Sequence, residues 1–310
     1  MKLTQAFLIL LLSGALCQAM PLNSSARSVV PGDLVQLISV DYRALKDSPT
    51  AMALKQQLLP DDLKRFEESL RKIGIDPDRD VDTLTFASFH VEKSGIRGVG
   101  VSSGDFNLKS VLKKLRLQNY KPTKYHNADL YPMDGGMLMS FLDENTLLFG
   151  EPTAIRMALD ARDGRVNGLD SNATMTDMMS NVDSSPVWSV LDQVGTQNMM
   201  HSALGDASKV ADYDTIKKRL LGSRYTMNFS SGVNFDLTVL TSDSVTAATM
   251  SSLVKAGMLY KKMSATPQEK VAIDNTTVDS DSSNLTMHFK STDQQFQALM
   301  QSPLFAAVSH

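Results

Sequence analysis

The chain has 310 residues, a formal net charge of −3 and one cysteine, with 42% hydrophobic and 21% charged residues. These are globular values, which exclude wholesale disorder, and one cysteine excludes a disulfide scaffold. Interspersed charge of both signs lacks the clustered Lys and Arg of a nucleic-acid surface or a patch for anionic membranes, so no nucleic-acid partner is expected.

The N-terminus reads Met1-Lys2, an apolar run from Ala6 to Leu12, then small residues at Cys17 and Ala19. This is the pattern of a secretory signal peptide over 1–19, with cleavage expected after Ala19. The apolar run is about half the ~20 residues that span a bilayer, so no transmembrane segment is expected in the mature chain. Acylation of Cys17 as a lipid anchor is the rival reading, against which Leu16 is bulky where that processing needs a small residue. Loss of Cys17 leaves a chain without a thiol, which removes thiol nucleophiles, disulfides, Fe–S clusters and cysteine-based zinc sites together. The expected location is periplasmic or extracellular.

An apolar strand, Leu34–Val40, ends at Asp41 and is followed by a helix over Ser48–Leu58. A second helix starts at Pro60, where Leu63, Phe66, Leu70 and Ile73 recur at helical spacing and Gly74 supplies the stop. Thr83–Val91 and Ile96–Val101 alternate about the turn Lys93-Ser94-Gly95 and predict a hairpin. Asp105 is placed to cap a helix through Leu108, Val111, Leu112 and Leu115. Strands are expected at Tyr125–Met133, Met137–Phe141 and Thr146–Phe149, and Pro152 opens a helix. Polar Asn167–Ser185, with Met175, Met178 and Met179, reads as a connection.

The second half repeats this order. Val187–Leu191 again ends in an acid, Asp192, and helices are expected over Thr196–Leu204 and Asp212–Leu221. Tyr225–Phe229 turns at Ser231-Gly232 into Val233–Val239, and Asp243 caps a long helix over Ser244–Met263. Strands near Lys270–Thr277 and Asn284–Phe289 precede a helix from Thr292 to Met300. Ser94-Gly95 matches Ser231-Gly232, and Phe149 matches Phe289, at nearly equal separations. The expected fold is therefore α+β: two similar βαββαββα units produced by internal duplication, over 20–165 and 186–310, joined by 166–185. Antiparallel sheets, each covered by helices on one face, are expected; whether the units share one sheet stays open.

Three groups invite chemistry. Gly100-Val101-Ser102-Ser103-Gly104 matches the G-x-S-x-G pattern of a serine hydrolase, with Ser102 as nucleophile. That mechanism needs a base, for which any of His126, His201 or His288 would have to be recruited with nothing to mark one out, and the bland reading is a small-residue strand-to-helix turn. Asp76, Asp78 and Asp80 alternate as Ca²⁺ ligands do, but Val81 stands where an EF-hand loop needs Gly. Pro77 and Arg79 suit a helix-to-strand turn with a neutralised acidic cluster. Met199, Met200 and His201, beside Met175, Met178 and Met179, suggest a copper(I) site; methionine also fills irregular cores without a metal. No cofactor is expected, and no catalytic, cofactor or metal residue is assigned.

Val30-Pro31-Gly32-Asp33, Val40-Asp41-Tyr42-Arg43-Ala44-Leu45-Lys46-Asp47-Ser48-Pro49 and Gly74-Ile75-Asp76-Pro77-Asp78-Arg79-Asp80-Val81-Asp82 resemble segments of uncharacterised secreted proteins of soil bacteria such as acidobacteria. The resemblance spans about Val30–Phe149, implies a bacterial envelope or exported protein, and carries over no catalytic residue. The expected function is non-catalytic binding of a protein partner or small-molecule ligand at the cleft between the units. The alternatives are a carrier of an apolar ligand lined by the Met-rich helices and a hydrolase using Ser102. Oligomeric state is not readable from the sequence.

Overall fold

The computed structural model describes residues 22–204, 213–303 and 305. The expected signal segment, Cys17 and Asp212 lie outside them. The first half comprises α1 (Ser24–Ser28), β1 (Leu34–Asp41), α2 (Tyr42–Leu45), α3 (Pro49–Leu58), α4 (Asp61–Lys72), α5 (Pro77–Asp80), β2 (Val81–Val91), β3 (Gly95–Gly104), α6 (Leu108–Leu117), β4 (Thr123–Tyr125), β5 (Ala128–Pro132), β6 (Leu138–Phe141), β7 (Thr146–Gly150) and α7 (Pro152–Arg162). The second comprises α8 (Ala173–Ser180), β8 (Val187–Leu191), α9 (Gln193–Leu204), α10 (Tyr213–Ile216), β9 (Leu220–Asn228), β10 (Val233–Thr241), α11 (Ser244–Ser264), α12 (Pro267–Asp274), β11 (Thr276–Asp281), β12 (Asn284–Ser291) and α13 (Asp293–Met300).

Side-chain caps set many of the helix starts. The acids that end β1 and β8 both turn the chain into a helix: Asp41 accepts from the Ala44 amide and Asp192 from the Gly195 amide. Asp243 caps α11 as expected, whereas Asn107 rather than Asp105 caps α6. Thr266 and Thr292 each form a reciprocal capping box, with Glu269 and Gln295. The box at Thr266 corrects the strand expected from Lys270: Pro267 and Glu269 start α12 there, and β11 begins only at Thr276. The helix expected over Asp212–Leu221 is shorter, since β9 already begins at Leu220. Tyr125–Met133 divides into two strands at His126, whose φ is 49°.

Among the described residues the strands join one antiparallel sheet of twelve, in the order β11-β12-β10-β9-β8-β1-β2-β3-β7-β6-β5-β4. β1 and β8 pair at its centre, with Leu37 opposite Val190 and Ser39 opposite Trp188. Reciprocal hydrogen bonds close the ends of this pair: the Asp41 amide to the Pro186 carbonyl at 2.7 Å, and the Asp192 amide to the Val35 carbonyl at 3.0 Å. Outward from it, β1-β2-β3-β7-β6 and β8-β9-β10-β12-β11 present the same succession of a helix-bridged pair, a hairpin, a helix and a second hairpin.

Registers assign the two faces, because directly opposed residues share one. On the first face, α1, α7 and α8 cover Leu37, Ala87, Phe89, Val99, Val101, Leu148, Trp188 and Val190. The stretch expected to be a mere connection thus supplies α8, whose Met175, Met178 and Met179 are buried in this core. Farther out this face turns polar, with Thr226, Asp236, Thr238 and His288 in register and none of them buried. The opposite face carries α4 and α6 over β6 and β7, α9 and α11 over β9 to β12, and α3 with α13 near the centre. The first half is therefore covered on both faces, in contrast to the one-sided cover expected. Continuous burial along β3 from Val99 and along β7 reflects it.

Candidate functional site

On the helix-ringed face, the central strands bring Ile38 opposite Phe86 and Ser189, Val40 opposite Leu84 and Val187, and Val187 opposite Met227. Ser189 faces Tyr225, which faces Leu237. Ile38, Val40, Leu84, Phe86, Val187 and Met227 are all half-buried, although they lie at the middle of a twelve-stranded sheet. Ile38 belongs to none of the four buried clusters. A band of half-buried apolar side chains, referred to as the trough, thus crosses the β1–β8 seam.

Its ends are held by specific bonds. At the Val40–Val187 end, α3 is fastened to α13: Thr50 Oγ1 donates to Asp293 at 2.6 Å, Gln297 donates to Thr50 at 3.1 Å, and Gln57 donates to the Met300 carbonyl at 2.8 Å. At the other end α9 lies close on β9, where the Thr196 and Ser223 hydroxyls bond at 2.9 Å. Gly195 permits this approach, since a Cβ there would meet the Val35 carbonyl oxygen at 2.7 Å. Burial pushes the Asp192 carboxyl above the usual range, with the Gly195 amide opposing.

The polar groups of the floor form one chain. Gln36 Nε2 donates to Ser189 Oγ at 3.3 Å, and Ser189 is hydrogen-bonded to Tyr225. Burial raises the Tyr225 hydroxyl above its ordinary range, so it stays protonated at neutral pH. Ser189 is fully buried, so the uncharged groups of this chain left partly accessible to a polar group of a ligand are the Gln36 amide and the Tyr225 side chain. They supply no nucleophile–base pair.

Ser102 lies elsewhere and inside a strand. β3 continues to Gly104, so Ser102 sits between Leu84 and Leu147 rather than on a strand-to-helix elbow. It is 2% exposed and its hydroxyl has no hydrogen-bond partner. His126 sits at the β4–β5 turn 3.0 Å from Asp160, His288 pairs with Asp236, and His201 is exposed on α9 beside Tyr213. Ser102→Ala removes a buried hydroxyl without breaking a bond. Its thermal melt should match or exceed the wild type, by up to about 1 kcal/mol. A clear loss of stability would mean that this hydroxyl is bonded after all.

The three aspartates are engaged by basic side chains and backbone amides, with Arg71 beside both Asp76 and Asp78. Asp76 caps α5, Asp78 accepts from Tyr42 and from Arg71 at 2.8 Å, and Asp80 accepts from Arg79 at 2.6 Å. Burial opposes ionisation of Asp78, yet Tyr42, Lys55 and Arg71 together hold its carboxyl below the usual range. Burial and the Asp78 bond push the Tyr42 hydroxyl up to about 12. These groups tie α2, α3, α4 and α5 together. Met200 is buried in the core beneath α11, Met199 packs against it, and His201 faces out, so the three do not converge. Among the described residues, no cluster of three or more His, Cys, Asp or Glu side chains is placed to hold a metal.

The trough was not legible in sequence. Ile38 and Val187 read there as ordinary strand residues, and only the pairing of β1 with β8 puts them on one floor.

No family model matches the chain, and neither does any curated protein sequence. Among solved structures, crystal form I of TP0453 is similar, with a TM-score of 0.51 and 9% identity over 94% of this chain and 98% of that one. Crystal form IV of TP0453 aligns over 92% and 97% of the two chains at a TM-score of 0.45 and 9% identity. At that identity the likeness to form I concerns the fold alone. No described helix is long and apolar enough to cross a membrane.

Proposed function

We propose that this is a non-catalytic binding protein that holds an apolar ligand in the trough across the β1–β8 seam. The observation that carries this reading is the half-buried floor of Ile38, Phe86, Val187 and Met227 at the centre of the sheet. Apolar side chains left partly open at such a position gain about 25 cal/mol for each Å² that a ligand covers. The half-buried Gln36 amide, oriented by the buried Ser189 hydroxyl, offers a neutral anchor for one polar group of that ligand. Lining by the Met-rich helices finds no support, since Met175, Met178 and Met179 are buried in the core on the other face.

The site lies where the two halves meet, and we infer that these halves are copies of one βαββαββα unit. Their common element order supports this, as do the left-handed glycines of the matching hairpins, Gly95 at φ 74° and Gly232 at φ 81°. Counted from these glycines, Gly100 corresponds to Leu237, whose neighbours on the next strand are Phe149 and Met287 respectively. The correspondence of Phe149 with Phe289 then moves by one strand repeat. Export belongs to the same proposal. It is tested by N-terminal sequencing of the protein from its host, expected to begin at Met20.

Titration with cis-parinaric acid, a fluorescent fatty acid, tests the site. Ile38→Glu puts a charge on the floor and is expected to weaken binding at least about tenfold. Leu117→Glu, at an exposed position of α6, serves as control. Equal affinity in both variants, or no uptake by the wild type, would remove the proposal.

A further inference from the structure

α11 carries a second apolar surface, on the side turned away from the sheet. Its buried residues, Thr246, Ala247, Met250, Ser251 and Val254, all lie in its first half. The opposite side presents Val245, Thr249, Ser252, Ala256, Leu259 and Met263, spaced alternately by four and three residues, as in a coiled-coil seam. None of the six is charged, and all are exposed, with Val245 at 70%, Leu259 at 67% and Met263 at 82%. Thr249 and Ser252 turn their hydroxyls back to the Val245 and Ala248 carbonyls, at 2.8 and 3.0 Å. The two polar members of the seam are thus already satisfied within the helix.

The two ends of this seam differ in shape and charge. At the N-terminal end an open groove of about 560 Å³ runs between α11, at Val245, Ala248 and Ser252, and the β11–β12 turn, at Ser280 and Ser282. At the C-terminal end Leu259, Tyr260 and Met263 project. The groove is flanked by the exposed carboxylates Asp279, which lies 3.7 Å from Lys255, and Asp281, and the projecting end by Lys262, which is bonded to Asp274.

We propose that the outer face of α11 is a dimer interface, occupied by α11 of a second copy in antiparallel orientation about a two-fold axis. In the register centred between Ser252 and Ala256, Met263 of one copy meets Val245 of the other, Leu259 meets Thr249, and Ala256 meets Ser252. Large side chains then oppose small ones, and each projecting end enters the partner's groove. Lys262 of each helix lies along the Asp281 side of the other's groove, beyond the Lys255–Asp279 pair, and the helix dipoles oppose. An anionic lipid surface would meet Asp279 and Asp281 on the same face, and a parallel pair would bring the lysines together.

Sedimentation equilibrium of the full chain is expected to show a monomer–dimer transition that Ala256→Glu and Leu259→Glu each shift at least about tenfold toward monomer. Both sites are exposed, so unchanged circular-dichroism melts will show that the variants remain folded. Orientation is read separately in a Cys17→Ser background. Mixed Ser252→Cys and Ala256→Cys chains should give more heterodisulfide than either homodisulfide under air oxidation. Three results would overturn the proposal: a wild type that stays monomeric at every concentration, including one that instead sediments with anionic vesicles; a dimer insensitive to Ala256→Glu; or an excess of homodisulfide.

Discussion

Trp188→Ala is expected to destabilise the protein by about 3–5 kcal/mol, the usual cost of emptying a buried tryptophan site. Trp188 is 1% exposed and faces Ser39 across the seam between β1 and β8. Its indole fills the core beneath α8 with Leu37, Val190 and the α8 methionines. Short helices and a sheet hydrogen-bonded on both sides have little freedom to close the void, so the cavity cost is added to the lost transfer energy. For a chain of this size the melting temperature should fall by roughly 10 °C, read by circular dichroism. Trp188 is the only tryptophan, so the wild type serves as its own fluorescent reporter, with blue-shifted emission that moves to the red on unfolding. A loss under about 1 kcal/mol would show that this core repacks freely.

Gly100→Ala is expected to cost about 2–3 kcal/mol, although it adds only one methyl group. Gly100 lies on β3 opposite Phe86 and Phe149, and a Cβ built there comes within 2.1 Å of Phe149 Cζ. That ring cannot simply retreat. It stacks on Phe66 of α4 at 4.6 Å and meets the edge of Phe86 at 6.1 Å. The glycine of the G-x-S-x-G pattern thus serves packing, as the space into which an aromatic side chain lies flat. Shortening the ring should return part of the loss, so Gly100→Ala with Phe149→Leu is expected to be less destabilised than the sum of the single variants. Additive losses in denaturant titrations would place the two residues out of contact.

The best-read parts of the sequence were those with local causes. Ser48-Pro49, Asp243 and Thr292 start helices because a short polar side chain can satisfy an amide three residues on, which requires no tertiary information. Ser94-Gly95 and Ser231-Gly232 turn because glycine tolerates positive φ. Where local signals compete, helix and strand look alike in sequence. Val271 and Ile273 alternate like a strand, but the capping box at Thr266 commits the segment to α12. Ser102 looked like an elbow because Gly104 reads as a turn residue. The strand runs on through Gly104, paired with Val81, and a Cβ there would collide with the Asp80 backbone, so only glycine fits where the chains pass that closely.

The sequence by itself determined the class of the protein: an α+β chain with antiparallel hairpins, a common element order in its two halves, and no motif that assigns a cofactor or a catalytic residue. Those features follow from periodicity, caps and turn residues, which act over a few positions. The tertiary structure alone decided that β1 pairs with β8 to make one sheet, that the first half is covered on both faces, and that an apolar floor stays open at the seam. The reason is that strand periodicity specifies which residues share a face of one strand, but not which strand lies beside it. Ile38 and Val187 are far apart in the chain, and they become one surface only when the central pair forms.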